Sequence, residues 1–210
     1  SILPVTVKSI SAPQIAQAGC LNLMQLYRIS PLGFMGGVVS GMLLAAIYGL
    51  GPVFAREVGM SLSEIGTFMA VLIFGGFSLQ WPIGRLADKG DRRQVVKAIS
   101  FITVLLAMGI ALIQEVWILY ILAWLFGGFS FTIYPISMAH ACEQVKEGEL
   151  VAATGGFVLC YGIGAVAGPL LVPVAMHLAG PSGVFYFIAL IALILGLISL
   201  KRPAPAIIDK

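Results

Sequence analysis

His140, Cys142 and Glu143 are the tightest group of metal- or proton-handling side chains in the sequence. His140 and Glu143 stand three apart and share a face if the segment is helical. A metal would need a third ligand at comparable spacing, and none is there. The three cysteines, Cys20, Cys142 and Cys160, are odd in number and lack metal-type spacing, so all three read as reduced thiols. No glycine-rich phosphate loop and no nucleophile elbow occurs. The chain therefore reads as a non-enzyme with no cofactor and no metal. The other polar stretch is PIGRLADKGDRRQVVK, residues 82–97. It holds five basic residues, Arg85, Lys89, Arg92, Arg93 and Lys97, and two acidic ones, Asp88 and Asp91. Groups of this kind form ion pairs, hold lipid phosphates, or accept from the bare N–H groups of a helix start.

The elements that position these residues are apolar. Of 210 residues, 60% are hydrophobic and 10% are charged, and the mean hydropathy is +1.03. A soluble domain carries roughly 25% charge, so lipid must be the solvent over most of this surface. The net charge of +3 does not indicate nucleic acid, because the basic residues sit in loops and form no stripe. Six runs are long enough to span at 1.5 Å per residue: 32–54, 62–84, 95–112, 116–142, 150–171 with an extension toward 177, and 183–200. None alternates as barrel strands do, so each is expected to be a helix.

Orientation follows from Lys and Arg. Lys8, Arg28, Arg85, Lys89, Arg92, Arg93, Lys97, Lys146, Lys201, Arg202 and Lys210 fall on one side, and only Arg56 falls on the other. Both termini and the 82–97 stretch are expected to face the cytoplasm, and His177 the opposite side. Residues 1–30 are less apolar and read either as a short amphipathic helix on the inner surface or as a linker. The chain starts at Ser1 rather than Met, with no signal-peptide core, and is expected to be part of something longer.

Two runs carry small residues every fourth position: Gly33, Gly37, Gly41, Ala45 and Gly49, then Gly156, Cys160, Gly164 and Gly168. That spacing holds them near one helix face, where small side chains let helices approach in lipid. Pro135 and Pro169 are candidate kinks.

The string Gly84-Arg85-Leu86-Ala87-Asp88-Lys89-Gly90-Asp91-Arg92-Arg93 resembles the loop signature of the major facilitator superfamily, found between the second and third helices of each half. Asp91 departs from it by standing where the family usually has glycine. The longer string from Gln80 to Lys89, with Phe131-Thr132-Ile133-Tyr134-Pro135 and Ala139-His140-Ala141-Cys142-Glu143, is similar to the second half of the bacterial YcaD-type permeases. The resemblance covers about residues 31–202.

It implies an all-α membrane protein: a six-transmembrane-helix bundle, the C-terminal half of a transporter of the bacterial inner membrane. Residues 1–30 would be a cytoplasmic linker, 31–202 the bundle and 203–210 a cytoplasmic tail. The implied partners are the N-terminal six-helix half, membrane lipid and a small-molecule solute. Spans one, two, four and five would surround a central cavity, with three and six outside. No Asp, Glu, Lys or Arg lies in the middle of a span, so the candidates for solute contact are Tyr48, Gln80, Tyr134 and Tyr161. Gly84, Arg85, Asp88, Lys89, Arg92, Arg93 and Glu143 would form an inner gate. In it Asp88 would reach the start of span five near residues 148–153, and Glu143 would pair with Arg85 or Arg92. The exposed wall of an isolated half would suit a homodimer. The competing reading is a membrane scaffold, sensor or lipid-handling protein that transports nothing.

Overall fold

The computed structural model describes residues 23–113, 115–145 and 149–200. The expectations placed on Lys8, Cys20, Lys146, Gly148, Lys201, Arg202 and the tail at 203–210 lie outside the described residues, as does most of the lead. Among the described residues there are seven helices and no strand: α1 (Leu23–Ile29), α2 (Pro31–Glu57), α3 (Leu62–Lys89), α4 (Arg92–Leu112), α5 (Val116–Cys142), α6 (Leu150–Ala179) and α7 (Gly183–Ile198).

Helix starts follow local chemistry. Ser30 Oγ accepts from the Gly33 N–H at 3.3 Å, and Pro31 follows as the first helical residue of α2. Ser61 and Glu64 form a reciprocal capping box on α3, with the Ser61 N–H donating to Glu64 Oε2 at 2.8 Å. Asp91 Oδ1 accepts from the Arg93 N–H at 2.9 Å and caps α4. At the far end of α6, Gly180 takes φ +71° and ψ −163°, a conformation essentially restricted to glycine, and the chain turns there into α7.

Five helices, α2 to α6, are long and apolar enough to cross a membrane. The sixth expected span differs: α7 has 16 residues, about 24 Å of rise against a hydrocarbon core of about 30 Å. Other boundaries move outward. The α3 helix continues to Lys89 and α4 begins at Arg92, so the expected inner loop shrinks to Gly90 and Asp91. Residues Gly84 to Lys89 are the last turns of a helix. The α6 helix runs through Pro169 and Pro173 to Ala179, beyond the expected stop.

The closest helix pairs are α2 with α6 and α3 with α5, and α2 also touches α5. The α4 helix packs on α5 and α7, and α7 closes against α2 and α6. Thus α4 and α7 lie behind a front made of α3, α5, α2 and α6. Lipid is as apolar as leucine, so this arrangement rests on contact rather than on escape from water. A Cβ on Gly41 would collide with the Tyr161 carbonyl oxygen, one on Gly164 with that of Val38, and one on Gly168 with that of Met42. The expected ridges meet at Gly37, Gly41, Gly164 and Gly168, whereas Gly33 sits first against Ala141 of α5, Gly156 against Leu26 of α1, and Gly49 has no neighbour within 4 Å. An unexpected second seam joins α3 to α5: Gly75 abuts the Trp124 carbonyl and Gly127 that of Leu72. Toward the other end from the capped α4 start, Phe54, Phe126 and Phe185 interlock edge to face, with centroids 4.7 and 5.8 Å apart.

Candidate functional site

Two regions of the front carry polar side chains. The first is a recess of about 480 Å³ lined by Leu44, Tyr48, Gln80, Phe131, Tyr134, Pro135 and Tyr161. It gathers all four residues singled out for solute contact, one from each of α2, α3, α5 and α6. Gln80 lies nine residues before the end of α3, Tyr134 eight before the end of α5, and Tyr161 eleven after the start of α6. That is about 12–17 Å along each helix from those ends. Tyr134 meets Tyr161 edge-on at 5.2 Å, and Tyr48 tilts against Phe131 at 5.9 Å. Among the described residues, none of the three hydroxyls nor the Gln80 amide makes a hydrogen bond. Leu44 and Phe131 were not singled out in the sequence. The signal was present: Leu44 is four before Tyr48 and Phe131 three before Tyr134, so each shares a helix face with its neighbour.

The second region is the charged end. Helix-to-helix contacts gather the end of α3, the start of α4 and the ends of α5 and α7. Arg92 is the hub. Its Nη2 donates to Asp88 Oδ1 at 3.0 Å, and its Nη1 to Glu143 Oε1 at 2.5 Å and, longer, to the Ala139 carbonyl at 3.4 Å. Its side chain is 22% exposed, against 69% for Asp88 and 57% for Glu143. One guanidinium fork therefore staples α3, α4 and α5. Arg93 Nε donates to the Ser199 carbonyl at 2.8 Å and ties α4 to the end of α7. Arg85 does not pair with Glu143; its guanidinium lies 4.1 Å over the exposed Trp81 ring. Lys89 is exposed at the helix end. Nothing stands within 4 Å of where a Gly84 side chain would begin.

Asp88 was expected to reach the start of span five. The structure pairs it with Arg92 instead, because α3 packs on α5 while α6 packs on α2. His140 faces Gln144, with the His140 and Gln144 Nε2 atoms 3.0 Å apart, and no group of three metal-binding side chains occurs among the described residues. Asp91, the departure from the family pattern, caps α4 while Gly90 stays extended at φ −127°. Glycine's left-handed freedom is not needed at this turn.

A second recess, of about 410 Å³, connects the two regions. It is lined by Arg85, Asp88, Arg92 and Thr132 among others, and it shares Gln80 and Pro135 with the first.

The Major Facilitator Superfamily model matches residues 33–209. The chain is 34% identical over 203 residues to the uncharacterized MFS-type transporter YcaD of Salmonella paratyphi B, covering 96% of this chain and 52% of that protein. The YcaD of Salmonella newport matches equally. An uncharacterized MFS-type transporter of Yersinia enterocolitica is 35% identical over 180 residues, covering 84% of this chain and 45% of that protein. The chain thus spans about half the length of the curated relatives it matches. Their names are those of transporters rather than enzymes. No solved structure matches. With five apolar helices long enough to cross a membrane and relatives that are bacterial, the chain belongs to the Major Facilitator Superfamily as an integral protein of the bacterial inner membrane.

Proposed function

We propose that this chain is one six-helix half of a secondary transporter that moves a small solute by alternating access. The observation that carries this reading is the first recess, where four uncharged polar side chains from four helices meet inside the membrane. Its wall opens on the front of the bundle, toward the place a second half would occupy. The length relation to the relatives supports that partner, the N-terminal half of the same transporter. On this reading residues 1–30 are linker, 31–202 the bundle with α7 as its sixth span, and 203–210 the tail. Both termini face the cytoplasm, since the described basic residues except Arg56 belong to the charged end.

The charged end acts as the inner gate. Arg92, Arg93 and Glu143 hold the ends of α3, α4, α5 and α7 as one unit. Asp88, largely exposed, Lys89 and Arg85 remain accessible to the other half, and Gly84 leaves α3 bare beside them. The uncharged recess supplies solute contact.

Reconstitution tests the reading. The full-length protein in liposomes is expected to move a solute that protects the recess from modification, while residues 1–210 alone are not, because one bundle supplies one wall. Saturable uptake by the 210-residue chain would overturn the half-transporter reading. A cysteine placed at Asp91 is expected to react only from the cytoplasmic side, and labelling from outside intact cells would reverse the topology. The isolated chain is expected to pair through its open wall as a two-fold homodimer; a monomer mass in several mild detergents would rule that out.

A further inference from the structure

We infer that the first recess takes an uncharged, partly aromatic organic solute that both donates and accepts hydrogen bonds. This rests on reading the recess as the solute-facing wall, and it goes further by naming the class of solute. Five observations carry it.

The volume, about 480 Å³, is that of a small-molecule site. Four aromatic rings line it in two pairs, so planar apolar surface has faces and edges to lie against. The polar ends of Tyr48, Gln80, Tyr134 and Tyr161 have no hydrogen-bond partner among the described residues. A purely apolar occupant would displace their water and leave those donors and acceptors unmet, a penalty that discriminates strongly against it. Gln80 offers a carbonyl and an amide on one side chain and so matches an amide, a carbamoyl group or the edge of a heteroaromatic ring.

Charge decides the rest. No lining residue of this recess is charged. The nearest charged groups, Arg85, Asp88 and Arg92, line the neighbouring recess. Arg92 there is already engaged by Asp88 and Glu143. A carboxylate seated among the tyrosines would find no cation on this wall. An ammonium would find ring faces, but cation–π attraction of about 0.5–2 kcal/mol does not offset the several kcal/mol of desolvating an unpaired ion. A neutral solute avoids both penalties.

The test uses three fluorescent probes of one shape: naphthamide, naphthoate and naphthylmethyl-trimethylammonium. Each is titrated onto the full-length protein in lipid nanodiscs, with empty nanodiscs subtracted. Naphthamide is expected to bind saturably and at least about tenfold more tightly than either ion. Gln80→Ala is expected to weaken naphthamide about five- to tenfold with the helical circular dichroism unchanged, since Gln80 is exposed on the front. Gln80→Glu is expected to reverse the order in favour of the ammonium probe. Absence of saturable naphthamide binding, tighter binding of either ion, or indifference to both Gln80 variants would overturn the inference. Binding is read without transport. Failed uptake by the full-length protein would therefore count against the transporter reading, and failed binding here against the solute class.

Discussion

The seams of this bundle and the positions away from them use the same residue type in opposite ways. At the seams, Gly41 and Gly164 bring α2 and α6 into backbone contact, and Gly75 and Gly127 do so for α3 and α5. Away from the seams, Gly49, Gly66, Gly84, Gly155 and Gly162 have nothing within 4 Å of a side chain's first atom. Glycine in a helix is less favourable than alanine by about 1 kcal/mol. At the seams that loss is offset by interhelical dispersion contact. At the open positions nothing inside the bundle offsets it. Packing within this chain therefore explains one set of glycines and not the other.

The largest expected effect breaks a seam. Gly127→Leu drives a branched side chain into the Leu72 carbonyl. It is expected to lower thermal stability in detergent by about 3 kcal/mol or abolish folded yield, the upper range for overpacking. Gly49→Leu should change stability by less than about 0.5 kcal/mol. Equal losses at the two sites would remove the distinction between seam and open position.

The next effect concerns the charged end. Arg92→Ala leaves Asp88 and Glu143 without their cation and releases the α3, α4 and α5 ends from one another. Both carboxylates are more than half exposed, so the loss is expected to be about 1 kcal/mol and smaller in high salt. Thermal melts of Arg92→Ala and wild type at low and high ionic strength check this. Asp88→Asn keeps the shape and removes the charge. It is expected to alter melting of the isolated chain by less than about 0.5 kcal/mol while shifting the inward–outward balance of the full-length protein, read by site-directed spin-label distances.

The smallest effect has the opposite sign. Ser137 Oγ is buried against Gly36 with no hydrogen-bond partner. Ser137→Ala removes an unmet polar group and is expected to be neutral or to stabilise by about 1 kcal/mol. A clear loss in a melt would mean the hydroxyl has a partner in the membrane.

Helix content and the α2–α6 seam were legible from the sequence, because small residues every fourth position stay on one face whatever packs against them. The α3–α5 seam was not. Gly75-Gly76 and Gly127-Gly128 are isolated doublets, and a doublet does not say which helix approaches it. Gly84 to Lys89 read as a loop because charge interrupts the apolar run, yet a helix end at the membrane surface tolerates charge as readily as a loop does. The span of α7 was overestimated for the converse reason. Ser199 and Leu200 lie outside the helix, in a turn, and hydropathy does not distinguish helix from turn.

By itself the sequence determined that the chain lives in lipid, because 10% charge cannot cover a soluble surface of this size. It also offered Tyr48, Gln80, Tyr134 and Tyr161 as candidates for solute contact, because no Asp, Glu, Lys or Arg lies in the middle of a span. Only the tertiary structure decided that Tyr48, Gln80, Tyr134 and Tyr161 share one recess, because their distances depend on α3 choosing α5 and α2 choosing α6. It alone gave Arg92 to Glu143 and Arg85 to Trp81. Both arginines reach the same helix ends, and only the packing of α4 on α5 fixes which guanidinium arrives beside the carboxylate.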